Sequence, residues 1–197
     1  MSVSKYIPFL LILLSATAQA QIFKALIPDE AIVQYAGSIG YFSAGAGYDI
    51  LANKKGRLDF HYGYVPQNKG GKLNIATVKF AYKPWEIGIG KTTKFYPLNP
   101  GIFLSYTFHK ELSFNFDTEQ YPKDYYYWSE ALRPHLSVSN EVDISTAKLF
   151  KTNTIKKLGV YIEANTNDYY LVNYFQNMSA LTITDVFQLG LGLRVRY

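Results

Sequence analysis

The chain contains no cysteine, 2 methionines and 2 tryptophans, and only 18% of its 197 residues are charged. Without cysteine there is no disulfide framework, no thiolate-bound zinc or iron–sulfur cluster and no lipidated N-terminal thiol. Beyond residue 14 no apolar run approaches the ~20 residues that carry a helix across a bilayer. Walker loops, dinucleotide fingerprints, HExxH pairs and EF-hand loops are missing from the sequence. Three scattered histidines, His61, His109 and His135, do not make a metal site, so neither metal nor cofactor is expected. The surplus of +5 charges and a pI near 9.1 are mild. With no clustered basic run, no nucleic-acid partner is expected.

What the chain has in excess is aromatic. With 18 Tyr and 13 Phe in a sequence that is 48% apolar, it holds far more buriable surface than a disordered polymer does. Residues 1–20 have the layout of a cleavable export signal: Lys5, an apolar stretch over 7–14, then Ala18-Gln19-Ala20. That stretch is too short to anchor the chain as a spanning helix. Residues 21–197 are then one domain.

The domain alternates. Phe187, Leu189, Leu191, Leu193, Val195 and Tyr197 take every second position, with Gln188, Gly190, Gly192, Arg194 and Arg196 between them. Side chains of a strand point to opposite faces with period two, so one face is apolar and the other small or cationic. The pattern recurs over 58–64, 76–82, 102–108, 132–142 and 158–164, with a shorter run at Leu112, Phe114 and Phe116. Residues 35–50 change parity, which predicts one strand with a bulge near Tyr41 or Phe42. This makes eight strands, or ten if residues 144–156 or 166–184 hide a hairpin. Three longer insertions, 84–99, 117–130 and 166–184, are expected on one outer side, with a short interfacial helix over 168–181. Residues 144–156 are long for a turn on the other side.

Faces decide between water and lipid. A soluble sandwich or lipocalin-like barrel turns its greasy face inward and its charges outward. Here the charged face carries Lys79, Arg133, Arg194 and Arg196 against Asp49, Asp59, Glu141 and Glu163, four of each sign. A confined polar interior requires such neutrality, because an unpaired charge out of water costs several kcal/mol. Tyr62, Tyr64, Tyr82, Tyr106, Phe108 and Tyr197 sit near strand ends, where amphipathic rings meet membrane interfaces. The expected fold is all-β, a closed antiparallel up-and-down transmembrane barrel.

The leader, the eight alternating runs and a last strand ending in Tyr197 resemble a bacterial outer-membrane β-barrel. Stretches such as residues 35–41 and His61-Tyr-Gly-Tyr64 are similar to small Tyr-rich barrels of no assigned role from Bacteroidota. The resemblance implies outer-membrane lipid and lipopolysaccharide as surroundings, and a C-terminal strand read by the barrel-assembly machinery. It transfers no catalytic residue.

Eight strands enclose only enough space for side chains to fill, so the inward charges are expected to form an ion-pair network rather than line an open pore. A small ion-conducting barrel is one alternative. Another is a lipid-modifying hydrolase or acyltransferase built on His135 and Ser137, two apart on one strand face. That pair resembles the His-x-Ser of outer-membrane lipid A deacylases, but its parity turns it inward, away from lipid. Tyr125, Tyr126, Tyr127 and Trp128 in one outer loop, and Tyr169 and Tyr170 in the next, are candidates for recognising an extracellular glycan or protein.

Overall fold

The computed structural model describes residues 26–112, 114, 129–146 and 154–197. Its elements are β1 (Glu30–Ala36), β2 (Phe42–Ile50), β3 (Gly56–Val65), β4 (Leu73–Tyr82), β5 (Ile87–Ile89), β6 (Thr93–Phe108), β7 (Leu132–Ser145), β8 (Lys157–Asn167), α1 (Asp168–Gln176), α2 (Ile183–Val186) and β9 (Gln188–Arg196). Every pairing is antiparallel. β1 pairs with both β2 and β9, and β4 pairs with β6, so eight strands close into a barrel. β5 is a short ninth strand lying on the start of β6. Closure leaves no sheet edge among these eight, which is what a strand protein needs where water is absent.

Two features of the strand assignment differ from the alternation reading. Residues 35–50 are not one bulged strand but two, joined by a turn at 37–41. Ala36 at φ +60°, Gly37 at +79° and Gly40 at +122° reverse the chain and fold Ile39 into the barrel mouth, where it is fully buried. Gly63 on the neighbouring strand is obligatory there: a Cβ on it would lie 1.7 Å from the Ile39 carbonyl oxygen. The change of parity marked this reversal. The run at Leu112, Phe114 and Phe116 also fails to count. Leu112 and Phe114 are not in a strand, and Phe116 lies outside the described residues.

The two differences cancel in the strand count but move one connection. Residues 83–92 leave β4 at the end where β1 starts and β9 finishes, so the 84–99 insertion is not on the side of α1 and α2. It is the β5–β6 hairpin. Residues 166–184 hold helices rather than a hairpin, and α1 supplies the expected short helix. Of 144–156, β7 takes the first two residues, and 147–153 lie outside the described residues.

Outward positions of the eight barrel strands carry no Asp, Glu, Lys or Arg. Val33, Phe60, Val78, Ile102, Leu104, Leu136, Val160, Ile162 and Leu193 form the exposed middle band. Tyr35, Phe42, Tyr62, Tyr64 and Phe108 sit at one rim, Tyr82 and Tyr197 at the other. The outward Asn140 has a specific task. A register shift between Tyr96 and Asn99 leaves the Leu98 N–H without a ladder partner, and Asn140 Oδ1 accepts it at 3.0 Å. An unpaired donor on this apolar wall would cost free energy comparable to a lost hydrogen bond.

Inside, glycine makes room for large polar groups. Tyr161 is buried against Gly192, and a Cβ there would meet its Cζ at 2.2 Å. The ring has nowhere to go, because its hydroxyl donates to Gln34 Oε1 at 2.7 Å and the Arg194 guanidinium lies 4.5 Å from its centroid. Gly192→Ala is expected to cost about 1–3 kcal/mol, the usual range for overpacking. In a Tyr161→Ala background the same change is expected to cost under ~1 kcal/mol. Urea unfolding of the refolded barrel measures both, and an undiminished cost in that background would contradict the assigned packing.

Candidate functional site

The lumen holds the chemistry. Near the end where β1 starts, three guanidinium groups interleave with four carboxylates: Arg57, Arg194 and Arg196 with Glu30, Asp59, Glu141 and Asp143. The seven come from β1, β3, β7 and β9, so their meeting requires closure of the sheet. Arg57 Nη1 donates to Glu141 Oε2 at 2.7 Å, and Arg194 Nη2 to Asp59 Oδ2 at 2.8 Å. Arg194 also reaches Glu30, and its Nε lies 3.3 Å from Glu141. Arg196 spreads over three partners: Glu30 at 2.6 Å, Glu141 at 2.5 Å and Asp143. The planar fork of arginine suits this sharing, since its five donors fit several carboxylates at once.

A second cluster stands one layer further in. Lys79 Nζ donates to both oxygens of Glu163, at 2.8 and 2.9 Å, and lies 5.0 Å from the Phe103 ring centroid. Gln34 links the two clusters, accepting from Tyr161 and, at 3.5 Å, from Lys79. Arg57, Arg194, Lys79, Glu141 and Glu163 are all buried.

Of the eight residues expected in one network, six stand in these two clusters: Asp59, Glu141, Arg194 and Arg196 in the first, Lys79 and Glu163 in the second. Asp49 stands apart at the barrel mouth, 3.3 Å from Lys54 and 3.7 Å from Lys83. Arg133 is at the opposite end, 3.4 Å from Asp168 and over the Tyr169 ring. Sequence reasoning missed Glu30, Arg57 and Asp143. Parity alone would have found Arg57 and Asp143, which share a face with Asp59 and Glu141. Glu30 is the first residue of β1, where no alternation had yet begun.

The His135 and Ser137 pair does not assemble into an acyl-transfer site. His135 Nε2 is 2.8 Å from Ser105 Oγ on β6, not from Ser137, and its ring stacks on Phe103 at 4.2 Å with planes 7° apart. Its Nδ1 has no hydrogen-bond partner among the described residues, so no carboxylate orients it. A nucleophile, a base and an orienting group must be linked in sequence. That linkage is not formed here. Among the described residues His61 likewise has a single hydrogen-bond partner, Ser43 Oγ at 3.5 Å from its Nδ1.

Of the loop aromatics, Tyr125, Tyr126, Tyr127 and Trp128 lie outside the described residues. Tyr169 and Tyr170 open α1, their ring centroids 6.4 Å apart, and the Tyr170 N–H is capped by Asn167 Oδ1 at 2.8 Å. Tyr169 is half-buried and Tyr170 exposed.

No protein-family model matches the chain, and no curated protein matches it either. Two solved structures are similar. Neisserial surface protein A is 14% identical, with 85% of this chain and 94% of that one covered and a TM-score of 0.40. The N-terminal β-barrel domain of Pseudomonas aeruginosa OprF is 10% identical, with 86% and 98% covered and the same TM-score of 0.40. Overlap this loose transfers neither a role nor a residue.

The buried pairing makes a direct prediction. Lys79→Met leaves the buried Glu163 carboxylate without its cation, with only the Asn165 Nδ2 donor at 3.4 Å among the described residues, and is expected to lower stability by about 3–5 kcal/mol. Lys79→Met with Glu163→Gln is expected to recover most of that loss. Urea titration of the single and double variants checks it, and a double variant as unstable as the single would remove the ion pair as the cause.

Proposed function

We propose that the chain is an integral outer-membrane β-barrel with a filled polar lumen, acting structurally and through its loop end rather than by catalysis. The carrying observation is sidedness. Ile102 is 58% and Leu193 50% exposed on the outer wall, whereas Arg194 is 1% and Glu141 0% exposed inside. In water this arrangement exposes the grease and buries the charge, a net loss on both counts. In a bilayer the outer wall meets acyl chains and the paired charges stay out of hydrocarbon. The aromatic rims and the export-type leader support the same placement.

The lumen supports a closed barrel rather than a conduit. Ile39 caps one mouth and the Arg–carboxylate cluster, with Tyr161 and Phe103, occupies the interior. Outer-membrane lipid and lipopolysaccharide are the partners this outer wall fits. The alternating strand β9 is the segment for the assembly machinery to read. Tyr169 and Tyr170, at the helical loop end, are the described part of an aromatic surface suited to an extracellular glycan or protein.

Four measurements test this reading. Leu193→Arg, in the middle of the band, is expected to destabilise the barrel in lipid vesicles by about 2–4 kcal/mol, and Ala31→Arg, nearer the rim, by only about 0–1 kcal/mol. Equal, small effects would argue against lipid contact, as would absence of a heat-modifiable band from outer-membrane fractions. Planar-bilayer recording is expected to show no sustained large conductance, and lipid A mass spectra to be the same with native protein and with His135→Ala. An acyl pattern that depends on His135 would make the protein an enzyme.

A further inference from the structure

The mouth at which β1 starts and β9 finishes opens into a cavity of about 520 Å³, within the usual range for small-molecule sites. Six ammonium groups line it: Lys54, Lys55, Lys83, Lys94, Lys156 and Lys157, with the Arg196 guanidinium at its floor. Three side-chain carboxylates face them, and each has a claim on it already. Asp29 Oδ2 accepts the Asp49 N–H at 2.9 Å. Asp49 is shared between Lys54 and Lys83. Glu86 is bound by Lys94 and by the Tyr96 hydroxyl at 3.0 Å, and the Lys94 ammonium holds its carboxyl below the usual carboxylate range. Arg196 is spent on Glu30, Glu141 and Asp143.

Positive charge is therefore left over. Lys55, Lys156 and Lys157 have no carboxylate within 4.0 Å among the described residues, and Lys83, though buried, has none nearer than 3.7 Å. Burial, with Arg57 and Arg196 nearby, pushes the Lys83 ammonium down from its ordinary value. A cavity walled by protein focuses such a field on whatever enters it. Lysine is a compact point charge that serves phosphate well, and several converging ammonium groups favour a multiply charged anion over a lone carboxylate.

We propose that this mouth is a binding site for phosphate-bearing anions. The cavity is roomier than one phosphate group needs, so a phosphorylated small molecule or a phospholipid headgroup shares the required chemistry. Tyr82 and Tyr197, exposed at the same end, put the site at the depth where headgroups would lie. The surplus of ammonium groups is independent of a bilayer; only the headgroup source rests on the membrane reading above.

The test is calorimetric titration of the refolded barrel, in neutral detergent at about 0.1 M salt, where the Debye length is about 10 Å, with inorganic pyrophosphate. Saturable binding at one site per chain is expected. Lys55→Gln/Lys156→Gln/Lys157→Gln is expected to weaken it at least ~10-fold, as loss of three converging charges should. Lys69→Gln/Lys72→Gln/Lys110→Gln removes the same charge at the opposite end and is expected to change it less than ~3-fold, since charges beyond a Debye length are largely screened. Heat-modifiable mobility confirms that both variants are folded. Phosphatidylglycerol added to the micelles identifies the source: competition with pyrophosphate marks a headgroup site, and undiminished pyrophosphate binding marks a soluble ligand. No saturable binding by the native chain, or equal weakening by the two variants, overturns the proposal.

Discussion

The structure depends on keeping ionised groups paired in a space that water scarcely enters. Arg57, Arg194 and Arg196 each touch more than one carboxylate, and Glu141 is reached by all three. Removing any one of the three arginines takes a partner from three carboxylates at once. Burial of charge is costly taken alone, so such a cluster adds little net stability over an apolar core; what it supplies is a demand for one register. Slipping β1, β2, β3, β7, β8 or β9 by one residue would turn an arginine or a carboxylate to the outer wall.

Filling the interior with long polar side chains needs space that eight strands barely provide. Inward glycines supply it. Gly47 leaves room for Glu30 and Asp59, Gly159 for Asp143, and Gly192 for Tyr161. Each glycine is the direct cross-strand partner of the side chain that fills its space, so small and large residues face each other on neighbouring strands. This is why Gly190 and Gly192 stand in the same inward row as Arg194 and Arg196.

Most strands were legible because period-two alternation is a local property. β3, β4, β7, β8 and β9 each show it within a single run. The turn at 37–41 was not read correctly, because a tight reversal with an inward-folded Ile39 perturbs parity much as a bulge does. Six of the expected lumen charges meet in the two inner clusters, since parity assigns a face. Parity does not assign depth, and depth separates Asp49 and Arg133 from the rest.

The sequence by itself determined a two-faced strand protein: which positions are apolar, which are polar, and that the ionised strand residues share one side. Local sterics and alternation suffice for that. Only the tertiary structure decided which charges meet, because Arg194 on β9 finds Glu30, Asp59 and Glu141 on three other strands through closure and register. The same holds for the lysines of the mouth. They come as two doublets, Lys54-Lys55 and Lys156-Lys157, and two single residues, Lys83 and Lys94, far apart in the chain, and the barrel rim gathers them.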